Sequence, residues 1–273
     1  MNMQRPFTSG TAIGTKLIAA GAGSPNFPVT ASAEVLDACI PAPTPTPCPG
    51  DHYTITPGTD TLVPGDTDIG NHCDECDTIV PLPFLFRLYN GTFNNVSVSS
   101  NGRLDFVVPN EAGGYVTSCL PASQGPNGPY DFTIFALWHD FTTEADLSGC
   151  SNFASGCGIF TSVSGNAPNR IFNIEFRTVR FDDNTQTQHF EVRLYENSLN
   201  RRFDVIYGSI NGVTEFDTAG VQGNADAGFF TEDFCDTVAP QNVSRTYTAE
   251  RCARPTTTPR PRPTPRPRPI PPH

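Results

Sequence analysis

Apolar and polar residues alternate along the middle of the chain at the period of a β-strand. Phe190, Val192 and Leu194 are separated by charged residues, and the same alternation runs through residues 172–178. Because neighbouring side chains of a strand point to opposite faces, a period of two predicts strands with one buried face. No window shows an apolar repeat at helical spacing, so the pattern predicts strands and no amphipathic helix.

Short segments rich in Val, Ile, Phe and Thr, separated by Gly, Asn, Pro and Asp, extend this pattern over residues 53–252. The clearest predicted strands are Phe84–Tyr89, Asn95–Ser99, Leu104–Val108, Phe132–Trp138, Gly158–Ser164, Arg170–Phe181, His189–Tyr195 and Arg202–Tyr207. Asn101-Gly102 predicts a hairpin with a type I′ turn, which needs positive φ at both central residues. Many short strands predict an all-β domain, a mainly antiparallel β-sandwich of jelly-roll or Greek-key-like topology.

Proline dominates both ends of the chain. Residues 41–49 read PAPTPTPCP, and nearly every second residue of 254–273 is proline. Proline fixes φ and removes a backbone donor, so such runs favour an extended polyproline II conformation. The sequence therefore predicts an extended N-terminal arm with a Pro-Thr linker over residues 1–52 and a polyproline II tail over residues 253–273.

Charge is distributed unevenly between the tail and the rest of the chain. The whole chain has a net charge of −11, yet the tail holds five arginines and no acidic residue: Arg254, Arg260, Arg262, Arg266 and Arg268. No aromatic residue stands between them to stack on bases, which argues against nucleic acid as a partner. The tail is expected to meet an acidic partner such as a neighbouring copy of the chain, or else to act as a soluble spacer.

Cysteine content points to an oxidising compartment. The chain has nine cysteines: Cys39, Cys48, Cys73, Cys76, Cys119, Cys150, Cys157, Cys235 and Cys252. Because cytosolic thiols are held reduced, this content predicts an extracellular or cell-surface location. Short loops close most readily, so the expected pairs are Cys39–Cys48, Cys150–Cys157 and Cys235–Cys252. No apolar run is long enough to span a membrane, and residues 1–30 do not read as an ordinary signal peptide.

Three stretches of the body carry a family resemblance. They are Pro81–Phe106, Ile134–Phe141 and Phe172–Ile206, which contain in order an apolar-Pro-Phe strand, an SSNG turn, an aromatic-Asp segment and the strand FEVRLYE. This order resembles the nidogen-like extracellular β domain and is similar to β-sandwich modules that lie beside Thr-Pro-rich segments in bacterial surface proteins. No catalytic residue carries over, so the resemblance implies an extracellular interaction or scaffold role.

The chain shows no recognisable catalytic motif. It contains no Gly-x-Ser-x-Gly elbow, His-Glu-x-x-His pair or phosphate-binding loop. The five histidines lie in unrelated contexts: His52, His72, His139, His189 and His273. Asp140, beside His139 and Trp138, is better explained as a strand-end residue that accepts loop amides than as part of a site. The sequence therefore predicts that the protein is not an enzyme.

One acidic loop has the densest set of potential ligands. It comprises Asp66, Asp68, His72, Cys73, Asp74, Glu75, Cys76 and Asp77. A zinc site would use the Cys-x-x-Cys pair, but a second ligand pair is absent. The carboxylates could instead hold calcium, although the ladder of an EF-hand is missing. The favoured interpretation is a solvated acidic loop held by a disulfide, with no cofactor and with calcium as the alternative.

Candidate glycosylation sites are of two kinds. Three Asn-x-Ser/Thr tripeptides begin at Asn90, Asn95 and Asn242, and the Thr-Pro tracts offer Thr44, Thr46, Thr256, Thr257, Thr258 and Thr264. Segments rich in threonine and proline are typical of O-glycosylated stalks. Glycans are therefore candidate partners.

The architecture predicts a structural subunit of an extracellular filament or surface assembly. A sandwich has open edges to which an extended segment of another copy could be added. The candidate contact residues lie between Thr11 and Leu36: Ile13, Leu17, Ile18, Phe27, Val29, Val35 and Leu36. The alternative is an adhesin or carbohydrate-binding module on a Pro-rich stalk, with exposed aromatic contacts near Tyr115, Tyr130 and Trp138.

Overall fold

A computed structural model describes residues 52–107, 114–122, 129–199, 201–212 and 216–249 of the chain, together with three strands nearer the N-terminus. These three are β1 (Gly10–Ile13), β2 (Lys16–Ala20) and β3 (Ala33–Asp37). The chain divides into two compact units, Met1–Cys48 and Pro49–His273.

The N-terminal unit contains a small antiparallel sheet. Strand β2 pairs with β1 on one side and with β3 on the other. The sequence pattern predicts an extended arm here, and this mutual pairing differs from it. Of the candidate contact residues, Phe27 and Val29 lie outside the described residues, whereas five lie on these strands: Ile13, Leu17, Ile18, Val35 and Leu36. The three strands therefore supply ladder partners to one another.

The second unit is built from β4 to β17. Its strands are β4 (Tyr53–Gly58), β5 (Thr67–Asp68), β6 (Asp77–Leu88), β7 (Gly91–Ser99), β8 (Arg103–Asp105), β9 (Thr133–Trp138), β10 (Phe141–Thr142), β11 (Gly158–Ser164), β12 (Ile171–Arg180), β13 (Thr187–Tyr195), β14 (Phe203–Ile210), β15 (Asp217–Asn224), β16 (Phe229–Thr237) and β17 (Val243–Ala249). A 3₁₀ helix, Ser148–Asn152, follows β10. Each of the eight strands predicted above overlaps an observed strand, although β8 ends at Asp105, short of the end of the predicted segment Leu104–Val108.

Two antiparallel sheets form the sandwich. One has the order β4-β17-β14-β13-β12-β11-β5, with β10 also paired to β12, and the other has the order β16-β15-β9-β8-β7-β6. The prediction of an all-β, mainly antiparallel sandwich is confirmed. The described residues of this unit contain no α-helix.

The hydrophobic core lies between the two sheets. Val96, Val98 and Ile134 of one sheet belong to the same buried cluster as Phe176 and Phe190 of the other. The rings of Phe176 and Phe190 stack with centroids 4.5 Å apart. Full burial of each such side chain contributes about 1.5–3 kcal/mol, so this cluster is the main source of stability.

The turn between β7 and β8 differs from the predicted type I′. Gly102 has φ of 76°, but Asn101 is not among the described residues with positive φ. The Gly102 N–H donates to the Ser99 carbonyl at 3.2 Å. This is the pattern of a three-residue loop that ends in a left-handed glycine. A Cβ on Gly102 would lie 1.9 Å from the Leu137 carbonyl oxygen, so only glycine fits.

A strap formed by residues 59–66 crosses the outer face of the larger sheet. It connects β4, at one edge of that sheet, to β5, at the other. Along its length the strap contacts Ser244 on β17, Gly208 on β14, Glu191 on β13, Glu175 on β12 and Thr161 on β11. The strap therefore covers a face that a two-layer sandwich would leave to solvent.

The connection between β8 and β9 covers the outer face of the smaller sheet. Its described residues 114–122 pack a second buried cluster that contains Leu120, Tyr130 and Trp138. The Trp138 indole N–H donates to the Gly114 carbonyl at 2.7 Å. Strand β9, which is buried along its whole length, thus contributes to cores on both faces.

Candidate functional site at the open edge

The two sheets are bridged at one side of the sandwich, where β4 and β16 lie close together. The Tyr53 N–H donates to Thr231 Oγ1 at 2.8 Å. Arg245 Nε on β17 lies 3.0 Å from Asp233 Oδ2 on β16. These polar contacts close this side of the sandwich.

The opposite side, between β5 and β6, is open. A groove of about 270 Å³ separates the two edges, and its lining residues are Thr67, Asp68, Ile69, Thr78, Ile79, Val80, Pro81, Thr161 and Phe172. Val80 and Phe172 are buried, whereas Ile79 is 65% exposed. Ile79 thus presents an apolar side chain to solvent beside an apolar opening.

Strand β6 carries two prolines on the edge of the smaller sheet. Pro81 pairs with Asn95 of β7, and the register shifts between Pro81 and Phe86, across Pro83. Among the described strands, none pairs with the other side of β6. Because proline has no N–H, it interrupts any ladder that a further strand would form there. Prolines on an edge protect it from strand addition.

Carboxylates from the predicted acidic loop border this groove. Asp68 lines it, and the exposed Asp66 precedes the lining residue Thr67, whereas both carboxyl oxygens of Asp77 are buried. Burial raises the pKa of the Asp68 carboxyl, but the Gly70 N–H and His72 outweigh burial and hold that pKa below its usual range. The described residues that line the groove include no arginine or lysine. The groove is therefore apolar with a negative rim.

A disulfide joins Cys73 and Cys76, so the predicted disulfide-held acidic loop is confirmed. Both sulfurs are in this bond, so in this structure neither is a thiolate ligand for zinc. Nearby, Asp74, Glu75 and Asp140 each place an oxygen within 4.8 Å of the others. Burial, Glu75 and Asp74 raise the pKa of Asp140 to about 6. Calcium takes 6–8 oxygen ligands, so this group supplies part of a coordination shell, and calcium stays a prediction.

The residues next to Asp140 make contacts typical of a structural role. Burial and then the Arg180 charge lower the pKa of His139 to about 4. Arg180 Nη2 donates to His139 Nε2 at 3.0 Å, and the imidazole stacks on Phe141 with centroids 5.3 Å apart. The histidine is therefore neutral at physiological pH and acts here as a hydrogen-bond acceptor.

The aromatic contacts predicted for a carbohydrate-binding module are largely wrong. Tyr130 and Trp138 are each 1% exposed, and only Tyr115 faces solvent, at 46% exposure. Arg103, also buried, places its guanidinium 5.0 Å from the Tyr130 ring centroid. The connection over the smaller sheet buries these rings, and this long-range contact leaves no local pattern in the sequence.

Two Glu-x-Arg pairs on adjacent strands hold the strap and were missed in the sequence. Glu175 accepts the Gly65 N–H at 2.7 Å, and Glu191 accepts the Val63 N–H at 2.5 Å. Arg177, two residues after Glu175, donates to it at 2.7 Å. The available signal was the repeat of Glu-x-Arg on the polar face of two predicted strands.

A second pocket lies beside the strap, next to the disulfide loop Cys150–Cys157. It has a volume of about 330 Å³ and is lined in part by Phe153, Glu175 and His189. His189 Nε2 donates to Glu175 Oε1 at 2.6 Å. Burial raises the pKa of Glu175, but hydrogen bonds from His189, Arg177 and Gly65 outweigh it and hold this pKa at about 2. Because the Glu175 carboxylate is hydrogen-bonded to all of these partners, its charge is compensated within the protein and does not indicate a ligand.

The cysteine pairing agrees with one of the three expected short-range pairs. Cys150–Cys157 is confirmed, whereas Cys235 pairs with Cys119 across a separation of 116 residues. The predicted Cys235–Cys252 pair is therefore wrong. Cys119 lies on the connection that covers the smaller sheet and meets Cys235 on β16, a contact created by the fold. Cys39, Cys48 and Cys252 lie outside the described residues.

The three asparagine acceptor sites are accessible. Asn90, in the turn between β6 and β7, Asn95 and Asn242 are all exposed. Ser97, the third residue of the second tripeptide, is buried, which makes Asn90 the better acceptor of the two on this hairpin. The candidate threonines lie outside the described residues, so glycosylation stays a prediction: Thr44, Thr46, Thr256, Thr257, Thr258 and Thr264.

Comparison with known proteins places the sandwich in a family. The described residues contain no helix long and apolar enough to cross a membrane. Searches of curated proteins and of solved structures found no match. A family model described as NIDO related matches residues 52–259, which include the whole sandwich. This family and the three disulfides support an extracellular location. The chain belongs to the NIDO-related, that is nidogen-related, family.

Proposed function

We propose that the chain is a non-catalytic structural subunit of an extracellular filament or surface assembly, in which terminal segments pack on neighbouring copies. The observation that carries the proposal is the open groove between β5 and β6. It is bordered by Ile79, a large apolar residue at 65% exposure. Exposed apolar surface beside a cleft is typical of an interaction site.

The distribution of covered and open surfaces supports this role. The strap covers the larger sheet, the β8–β9 connection covers the smaller one, and polar contacts bridge the β4–β16 side. On the β5–β6 side, Asn71 Nδ2 donates to Thr78 Oγ1 of β6 at 3.2 Å, but a groove of about 270 Å³ remains between the edges of the two sheets. The adhesin alternative is less well supported, because two of its three predicted aromatic contacts, Tyr130 and Trp138, are buried.

The test is assembly of the full chain, imaged by negative-stain electron microscopy and followed by sedimentation velocity. We expect polymers for the unaltered protein and loss of polymers for Ile79→Asp. Leu85→Asp is the matched control, because Leu85 lies on the same strand at 66% exposure but does not line the groove. Monodisperse particles of the unaltered chain, or equal polymer loss in both variants, would contradict the proposal.

A further inference from the structure

We propose that the groove between β5 and β6 binds the Arg-Pro tail, residues 254–268, of a second copy of this chain. The inference rests on the proposed function and names the segment that connects the copies. The sequence of the tail predicts polyproline II structure with arginines at every second residue over parts of its length.

The backbone chemistry of the groove favours such a segment over a β-strand. A strand added to β6 would need ladder donors where Pro81 and Pro83 offer none. A polyproline II segment forms no ladder and binds through its side chains, so these prolines do not obstruct it. Strands β1, β2 and β3 already pair with one another, which further favours the tail over the N-terminal segment.

The apolar surface of the groove matches a proline-rich ligand. Val80 and Phe172 are buried in its lining, and Ile69 and Ile79 complete it. Proline-rich segments bind in apolar and aromatic grooves, where their conformation is already formed and little entropy is lost. The groove thus offers packing for the proline rings of the tail.

Charge complementarity favours the Arg-Pro tail as the segment that the groove binds. The groove is bordered by Asp66 and Asp68, and its described lining includes no basic residue. Arginines two residues apart in polyproline II are about 6.2 Å apart along the axis. Asp66 and Asp68, two residues apart in an extended segment, are separated by about 6.6 Å. The two axial spacings are similar, and because polyproline II has three residues per turn, the two arginines of such a pair point about 120° apart.

The topology favours a second copy over the chain's own tail. Strand β17 ends at Ala249, beside edge strand β4, whereas the groove lies at the β5 edge of the same sheet. Five strand spacings of about 4.8 Å separate β17 from β5. The strap occupies the outer face between them, and a semi-rigid proline-rich tail resists folding back. A groove at one edge and a tail leaving from the other give a head-to-tail contact that propagates.

Photo-cross-linking of the full chain tests this inference. A photoreactive benzoylphenylalanine replaces Ile79, and this protein is mixed with unmodified chain labelled with ¹⁵N. After irradiation, mass spectrometry identifies the cross-linked peptides. We expect cross-links from position 79 to ¹⁵N-labelled peptides of residues 254–268, and a decrease of at least tenfold when Arg260, Arg262, Arg266 and Arg268 of the labelled chain are replaced by glutamate.

A second reactive position at Thr67, on the other rim of the groove, is expected to capture the same peptides. The control places the reactive group at Leu199, which is exposed away from the groove and is expected not to capture the tail. Cross-links only to the unlabelled tail would show that each chain binds its own tail. Cross-links to residues 10–37, to other segments, or none at all would also overturn the inference.

Microscopy of the same samples separates this inference from the proposed function. If polymers form without cross-links to the tail, the proposed assembly is supported and the tail is not the segment that connects the copies. If the tail cross-links to a second copy but no polymers form, the contact between copies is supported and the filament is contradicted.

Discussion

Glu175 and Glu191 are direct cross-strand neighbours on β12 and β13, and both accept backbone N–H groups of the strap. Like charges in this position repel each other. Each glutamate is compensated by an arginine two residues later on its own strand, Arg177 or Arg193. The two pairs therefore form one buried network that holds the strap. Removing one of its carboxylates should lower the stability of the protein.

Glu175→Gln is expected to destabilise the protein by about 3–5 kcal/mol, because it leaves the buried Arg177 charge without its carboxylate. Urea denaturation measures the change in the free energy of unfolding. Glu196→Gln is the control, since Glu196 pairs with the more exposed Arg170 and solvent screens such a pair, so a smaller loss is expected. Equal losses in the two variants would show that the network does not hold the strap.

His139 is expected to make the protein less stable in acid. With its pKa lowered to about 4, the folded protein excludes a proton that the unfolded chain binds below about pH 6.5. The free energy of unfolding should therefore fall as the pH decreases from about 6.5 to 4. His139→Gln should flatten this part of the profile.

Asp217 changes the stability in the opposite direction. Burial raises its pKa to about 6 in the folded protein, so as the pH falls the folded protein takes up this proton before the unfolded chain does and is stabilised. The free energy of unfolding of His139→Gln must therefore be compared with that of the unaltered protein at each pH. Denaturant titrations at pH 7.5, 6, 5 and 4 provide it. Parallel profiles for the two proteins would contradict the assignment.

The two loop disulfides are expected to differ in their contribution to stability. Cys119–Cys235 closes a loop with a separation of 116 residues, and Cys150–Cys157 closes one of 7. Loop-closure entropy predicts losses of about 4–5 and about 2–3 kcal/mol when each pair is replaced by serine. Chemical denaturation of the two double variants measures the ranking, and the reverse order would contradict an entropic origin.

Gly102→Ala is expected to cost about 3 kcal/mol or more, because a Cβ there meets the Leu137 carbonyl oxygen and the residue has positive φ. Gly156→Ala is the matched control, since Gly156 has the same φ of 76° but nothing within 4 Å of the added Cβ. The control should lose only about 1–2 kcal/mol. Thermal unfolding of both variants would reveal whether the difference exists.

Strands with strict alternation could be read from the sequence because their inward residues are apolar. Strand β13 is the clearest case, with Phe190, Val192 and Leu194 in the core. Strand β15 was missed because it carries Gly220, Gln222 and other small or polar residues, which its neighbours bury. Its burial depends on the paired strands and not on its own composition.

The candidate site could be predicted only in part. The acidic loop and its disulfide were recognisable from the Cys-x-x-Cys spacing and the density of carboxylates. The groove was not, because it joins residues such as Ile79 of β6, Phe172 of β12 and Ile69, which follows β5. Only the topology, which ends both sheets on the same side, brings them together.

The pairing of Tyr53 with Ala249 places the entry and the exit of the sandwich side by side. A tensile force on these two points would separate β4 from β17 one residue pair at a time, since each pair bears the load in turn. Peeling would then reach the strap, where Glu191 and Glu175 hold the next residues to the middle of the sheet. Once the contacts of Tyr53 and the hydrogen bonds between Asp60 and Ser244 are broken, these two carboxylates are therefore the next points that resist the force.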